Sequence, residues 1–134
     1  MRPSLRESEF GLADTSVFIS EIHHELDRDS LPVSLGVSVV TIAELRAGVL
    51  LSPNGATRAR REAVLEAVLE LEPIPIDESI AMAWAELRTE IRDLEFTLSG
   101  NDAWIAATAT TLGVPVVTRT AVFDDLPGVE VIVV

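Results

Sequence analysis

Three acidic residues, Asp14, Glu44 and Asp102, stand apart from the other carboxylates of this 134-residue chain because of the positions they occupy. Asp14 closes the apolar run Gly11-Leu12-Ala13 and is followed by Thr15 and Ser16. Asp102 lies in the first turn of a helical stretch that opens with Ser99-Gly100-Asn101. It shares a stripe with Ile105, Ala106 and Ala109, spaced for one helix face, so it is turned toward the edge of the core. A carboxylate there is costly unless a cation or a donor meets it. Glu44 sits inside a helix, on a face with Thr41, Ala47, Gly48 and Leu51, whose small members permit close approach of another element. Carboxylates converging at about 5 Å repel by roughly 3 kcal/mol per pair at an effective dielectric near 20. Protons or divalent cations relieve that repulsion. Hard oxygen ligands select Mg²⁺ or Mn²⁺ over zinc. Such an ion activates water and stabilises the charge that develops on a phosphate. Each acid taken singly has a plainer reading. Asp14 is then better taken as a helix N-cap, Asp102 as a partner of the helix dipole, and Glu44 as an exposed helical glutamate.

The elements that must position these residues alternate between short β-branched runs and longer helical ones. Strands are expected at Gly11–Ala13, Leu35–Ser38, Ile74–Ile76, Pro115–Thr118 and Val129–Val133. A helix starts over Thr15–Ser20, and residues 21–32 read as a loop or a short helix. Further helices cover Val40–Leu51, ended by Ser52-Pro53-Asn54-Gly55, and Thr57–Glu70, with Val64, Ala67, Val68 and Leu71 as its apolar stripe. Pro73 stops that helix, and Pro75 confines the third strand to an edge or a strand end. Asp77 caps a helix in which Ile80, Trp84, Leu87, Ile91 and Leu94 recur at helical spacing. After a loop from Glu95 to Ser99, the last helix runs from Gly100 to Leu112 and ends at Gly113. Strands alternating with helices argue for a parallel sheet covered on both faces. Ligands of such sheets gather outside the carboxyl ends of the strands, where Asp14 stands.

Composition narrows the chemistry. The length suits one domain and is too short for two. With no cysteine, disulfides and thiolate metal sites are excluded. The two histidines, His23 and His24, are adjacent, which disfavours histidine-built zinc sites and Ser-His-Asp triads. No apolar run has the length of a signal peptide or a membrane span, so a cytoplasmic location without membrane contact is the expectation. The formal net charge of −12 argues against a phosphate partner. Bound cations would invert the local field, and an acidic exterior would also receive a basic protein. All ten basic residues are arginine, the side chain suited to bidentate phosphate contacts.

Asp14-Thr15-Ser16-Val17-Phe18-Ile19, Val40-Thr41-Ile42-Ala43-Glu44-Leu45-Arg46-Ala47-Gly48-Val49-Leu50, Asp102-Ala103-Trp104-Ile105-Ala106-Ala107 and Val116-Val117-Thr118-Arg119 together resemble the PIN-domain family. The VapC toxins of bacterial toxin–antitoxin pairs are the nearest group. Each motif alone is weak, but in this order, at suitable separations and on suitable elements, they are strong. The resemblance runs from about Leu12 to Val133. It implies residues 11–134 as a single PIN domain after a flexible arm of residues 1–10. It implies a three-layer α/β/α fold around a parallel sheet of strand order 3-2-1-4-5. It also implies hydrolysis of RNA, often a tRNA or ribosomal RNA, by water activated on Mg²⁺ or Mn²⁺ held by Asp14, Glu44 and Asp102. The implied partners are a second copy of the chain and a VapB-type antitoxin whose tail covers the acidic cleft.

One departure stands out. Where the family places further acidic or amide residues after the fourth strand, this chain has Thr120 and Val122, just ahead of Phe123. Support from the Thr118 and Thr120 hydroxyls, holding a metal-bound water, or from Asp124 or Asp125 in a shifted loop, is the expectation if a metal binds. Fewer carboxylates imply weaker binding of one ion or a preference for Mn²⁺. A PIN domain weakened in turnover, acting mainly as an RNA- or antitoxin-binding module, is the alternative. Asp124 and Asp125 otherwise read as a solvated turn. Arg46 and Arg119 read equally as phosphate contacts and as ion-pair partners. His23 and His24 read as surface loop residues. Trp84 and Trp104 read as core or dimer-seam residues rather than base-stacking platforms.

Overall fold

The computed structural model describes residues 10–22, 34–94 and 97–134. The expected N-terminal arm, the stretch containing His23 and His24, and Glu95 fall largely or wholly outside them. The elements are β1 (Phe10–Ala13), α1 (Thr15–Ile22), β2 (Ser34–Val37), α2 (Val39–Leu50), α3 (Gly55–Leu69), α4 (Glu78–Asp93), α5 (Gly100–Leu112), β3 (Val116–Thr118) and β4 (Val131–Val133).

The four strands are all parallel and lie in the order β2-β1-β3-β4. Alternation along them sorts the apolar residues into two cores. Leu12, Val116 and Val131 point to one face, where Leu87, Ile91, Ile105 and Ala106 of α4 and α5 cover them. Ala13 and Val117 point to the other, against Val17, Leu45, Val49, Leu65 and Val68 of α1, α2 and α3. This is the expected three-layer arrangement. It follows from the period-two geometry of a strand buried on both sides.

The expected third strand is reduced to one parallel bridge between Ile74 and Ser38. Ile74 N–H donates to the Val37 carbonyl at 2.8 Å, and its own carbonyl accepts from Val39 N–H at 3.1 Å. Pro73 and Pro75 on either side have no N–H to extend the ladder. The bridge lies beyond β2, so the order expected for five strands is kept with four formed among the described residues.

Helix starts follow their caps. Ser38, expected at the end of a strand, instead accepts from Val40 N–H at 3.1 Å and opens α2. Asn54 accepts from Thr57 N–H at 2.8 Å, so α3 begins at Gly55, two residues before the expected start. Asp77 caps α4 through Ile80 N–H at 2.9 Å, as expected, and Gly113 ends α5 with φ +68°. The buried stripe of α3 differs from expectation. Leu65 and Val68 are buried, whereas Ala67 and Leu71 are exposed. The helix is turned so that Arg61 lies beside α2, donating to the Gly48 carbonyl at 2.7 Å. In α4, Leu94 is the C-cap and 58% exposed, not a core residue. Trp84 and Trp104 stack on each other between α4 and α5, with centroids 4.9 Å apart and rings 17° from coplanar. Arg88 lies 5.7 Å above the Trp84 ring. These faces are occupied within the fold.

Phe10 of β1 packs across β2 over Gly36, where an added Cβ would overlap the tip of the Phe10 ring and meet Ile74 Cδ1 at 3.4 Å. Gly36→Ala is therefore expected to cost about 1–3 kcal/mol in urea unfolding. Adding Phe10→Leu should return most of that loss. A Gly36→Ala protein of wild-type stability would show that the ring moves freely aside.

Candidate active site

The site begins where β1 ends. Asp14 N–H still donates to the Val117 carbonyl at 2.9 Å, so the ladder holds the residue in place as the chain turns into α1. Because the strands are parallel, their carboxyl ends adjoin. The register pairs Ala13 with Val37 and with Val117, which sets Asp14 beside Ser38 on one side and Thr118 on the other.

Asp14 is only 4% exposed. Donors from Ser16, Val17 and Thr118 meet its carboxylate. Oδ1 accepts from Ser16 N–H at 3.1 Å and from the Ser16 hydroxyl at 2.5 Å. Oδ2 accepts from the Thr118 hydroxyl at 2.7 Å. Burial nonetheless pushes the Asp14 pKa above its ordinary value of 3.8. The hydrogen bonds from Ser16 and Thr118 oppose that shift, and the nearby charge of Asp102 adds to it. Asp14 caps α1 as expected of it singly, accepting from Ser16 N–H, and it does more. Its oxygens hold Ser16 and a strand more than a hundred residues away.

Asp102 stands in the first turn of α5. Ser99 caps that helix, accepting from Asp102 N–H at 3.1 Å and donating to Asp102 Oδ2 at 2.8 Å. The reciprocal pair satisfies a free helix-end donor and fixes the carboxylate. The rest of its stripe, Ile105, Ala106 and Ala109, is buried, and Asp102 itself is half-buried. Its place in the first turn of α5 is consistent with the plainer reading as a partner of the helix dipole. The residue also lies near enough to Asp14 for the two charges to repel.

Glu44 is half-buried and tied in through α1. Its Oε1 accepts from the Thr15 hydroxyl at 2.7 Å, and Thr15 is 3.1 Å from the buried Thr41 hydroxyl. Among the described residues, no three His, Cys, Asp or Glu side chains form a group that could hold a metal ion. The expected meeting of three carboxylates is thus reduced to the pair Asp14 and Asp102, with Glu44 joined through the neighbour of Asp14. The donor chemistry of that pair fits a hard divalent cation. All donors are oxygen, one carboxylate is buried with a raised pKa, and a second negative charge faces it.

Around this pair the structure supplies hydroxyls. Thr118 is fully buried. Thr120 N–H donates to the Thr118 oxygen at 3.1 Å, and the two hydroxyl oxygens lie 3.2 Å apart. Ser16, which sequence reasoning noted only as part of a motif, also accepts from Arg119 N–H at 2.9 Å and so joins α1 to the end of β3. The one available signal was its place two residues after Asp14, the spacing at which a side chain returns to its own turn. Asp124 and Asp125 are exposed, and the side chain of Asp124 makes no hydrogen bond among the described residues. Phe123, fully buried, anchors that loop instead. Arg46 is exposed on α2.

Beside Glu44 opens a cleft of about 450 Å³ between α1, α2 and α3, lined by Ile19, Leu45, Gly48, Leu51 and Arg61. Its rim is apolar: Leu51 is 80% exposed and Ile19 46%.

Comparison with known proteins agrees with this arrangement. The PIN domain, as a sequence family, matches residues 12–129. Ribonuclease VapC5 of Mycobacterium tuberculosis is 41% identical over 126 residues, covering 91% of this chain and 93% of that protein. Ribonuclease VapC4 of the same organism is 40% identical over 124 residues, covering 92% and 95%. The structure of VapBC-5 from M. tuberculosis, a member of the VapBC family of toxin–antitoxin systems, matches with a TM-score of 0.84 at 40% identity, covering 94% of this chain and 99% of that one. Fold and relatives converge on one assignment: the chain belongs to the PIN-domain family and, within it, to the VapC group.

Proposed function

We propose that this chain is a ribonuclease toxin that hydrolyses RNA phosphodiester bonds with Mg²⁺ or Mn²⁺, and that a VapB-type antitoxin restrains it. The observation that carries the reading is Asp14: a buried carboxylate at the carboxyl ends of the central strands, faced by the charge of Asp102. Two acids held near each other at such cost call for a cation. The names of the VapC relatives support an RNA substrate. Asp14 and Asp102 would hold the ion, with Glu44 at the margin of the site. The bound ion supplies an activated water and stabilises charge on the phosphate and the leaving oxygen. The chain's own residues keep the acids in place. Ser16 and Thr118 hold the two oxygens of Asp14 apart, and Ser99 fixes Asp102.

The net charge of −12 bears on the partners. It favours a basic antitoxin segment, steered by charge complementarity, over unaided capture of RNA. The apolar cleft beside Glu44 suits the side of such a segment that carries its aliphatic residues. A tRNA or ribosomal RNA is the proposed substrate class, and a homodimer the proposed assembly. No helix of the described residues is long and apolar enough to cross a membrane.

Purified chain should cleave RNA only with Mg²⁺ or Mn²⁺, and Asp14→Asn should lower the rate by about 100-fold or more. Mapping RNA ends after expression without the antitoxin would identify the substrate. RNA or antitoxin binding that persists in wild-type protein with no metal-dependent cleavage would favour the binding-module reading.

Stability provides a second check. The folded-state pKa of Asp14 is raised, so the folded protein binds this proton more tightly than the unfolded chain does. The associated stability is fully present below the unfolded pKa and is lost as pH rises through the folded one. Without divalent metal, Asp14→Asn should therefore be more stable than wild type to urea at pH 7, and the difference should shrink on acidification. With Mn²⁺ at a hundred times its Kd, wild type should gain about 2.7 kcal/mol and the variant far less. A metal-free variant weaker than wild type at pH 7 would instead assign Asp14 a structural role.

Truncating the cleft rim should separate partner from catalysis. Leu51→Ala is expected to weaken binding of the product of an adjacent antitoxin reading frame by about tenfold, with cleavage by the free chain unchanged. Unchanged affinity would place the antitoxin elsewhere.

A further inference from the structure

Four polar atoms lie within reach of the single hydroxyl of Thr118. Asp14 Oδ2 is at 2.7 Å, Thr120 N at 3.1 Å, Thr120 Oγ1 at 3.2 Å and Ser16 Oγ at 3.3 Å. A hydroxyl has one proton and two acceptor lone pairs, so these four neighbours cannot be equivalent. An ionised carboxylate only accepts, which assigns the Thr118 proton to Asp14 Oδ2. The Thr120 N–H only donates, so it takes one lone pair of Thr118. Ser16 has its proton on Asp14 Oδ1 at 2.5 Å and its oxygen under Arg119 N–H. The remaining lone pair of Thr118 is left for the Thr120 hydroxyl as donor. The order is therefore one-way, from Thr120 to Thr118 to Asp14. A hydroxyl that accepts two hydrogen bonds is polarised into a stronger donor.

The same count applies at the carboxylate. Each oxygen offers two lone pairs. Oδ1 receives both Ser16 donors, Oδ2 receives Thr118, and the Val17 N–H also reaches the carboxylate. The carboxylate is thus oriented by three residues, and Thr118 is the one that Thr120 reaches.

We propose that Thr120 is a positioning residue of the site: by donating to Thr118 it strengthens the Thr118 hydrogen bond to Asp14 Oδ2 and so fixes that carboxylate for a divalent cation. Thr120 does not touch the ion in this arrangement. It acts through Thr118, and its threonine hydroxyl does work that an acidic side chain at this position would do differently. The inference rests on the reading of Asp14 as a metal ligand.

The test uses Thr120→Val, which keeps the shape and the backbone N–H but removes the hydroxyl, and Thr120→Ser, which keeps the hydroxyl. Thr120 is only half-buried, so neither change opens the core. Mn²⁺ affinity of the full chain without RNA is read from the electron paramagnetic resonance of free Mn²⁺, alongside urea unfolding without metal. Thr120→Val should weaken Mn²⁺ by about tenfold, Thr120→Ser should bind as wild type does, and both should unfold at the wild-type midpoint. Wild-type affinity in Thr120→Val, equal loss in both variants, or a Thr120→Val loss that tracks a lowered unfolding midpoint would each overturn the positioning role while leaving the nuclease reading in place. Failure of the wild type to bind Mn²⁺ would overturn both together.

Discussion

Holding one carboxylate away from water is the constraint on which the rest of the site depends. Asp14 is nearly inaccessible, and burial favours its neutral form, so every group around it must supply either donors or positive charge. The donors come from two places. Ser16 is local and arrives with the first turn of α1. Thr118 comes from a strand more than a hundred residues further on, and it reaches Asp14 because β1 and β3 run in parallel and end together. An antiparallel neighbour would place its amino end there, and the residue beyond the strand would be different. The topology of the sheet is thus a condition of the chemistry.

The two faces of the sheet contribute differently. The layer of α4 and α5 is tightened by the tryptophan stack, and it delivers Asp102 at the start of α5, where a free helix end and the Ser99 cap fix it. The layer of α1, α2 and α3 delivers Glu44, but through a hydroxyl bond to Thr15. That layer also leaves an apolar cleft, at whose side Arg61 of α3 donates to the Gly48 carbonyl of α2. Acidic and apolar surfaces therefore adjoin. A single basic, amphipathic segment can meet both, which is how one partner would be able to cover the cleft and offset part of the chain's negative charge at once.

After the strand that ends at Thr118, Asp124 and Asp125 form the solvated turn that their sequence suggests. With Thr120 and Val122 where acids were expected, Asp124 and Asp125 were the nearest carboxylates. They stay at the surface because Phe123 between them and β3 is drawn into the core. Burying a phenylalanine outweighs any local preference for moving two solvated aspartates inward. The hydroxyls of Thr118 and Thr120 stand at that end of the site instead.

Much of the architecture was legible along the chain, and the reason is local. Apolar periodicity, the cap Asp77 and the stop at Gly113 are near-neighbour effects, and they placed most helices within two residues. The elements bearing Asp14, Glu44 and Asp102 were legible for the same reason. The stripe of α3 was misjudged because its pattern allowed two rotations, and only contact with Gly48 of α2 chose between them. The third strand was overcounted because prolines limit pairing in a way that depends on which neighbour is present. The sequence by itself determined the three-layer parallel architecture and the candidate acids, since side-chain period and capping act over a few residues. Only the tertiary structure decided which acids share a field, which hydroxyl serves which oxygen and which aspartates stay in water. Those are distances between segments far apart in the chain, set by sheet register and core packing rather than by local preference.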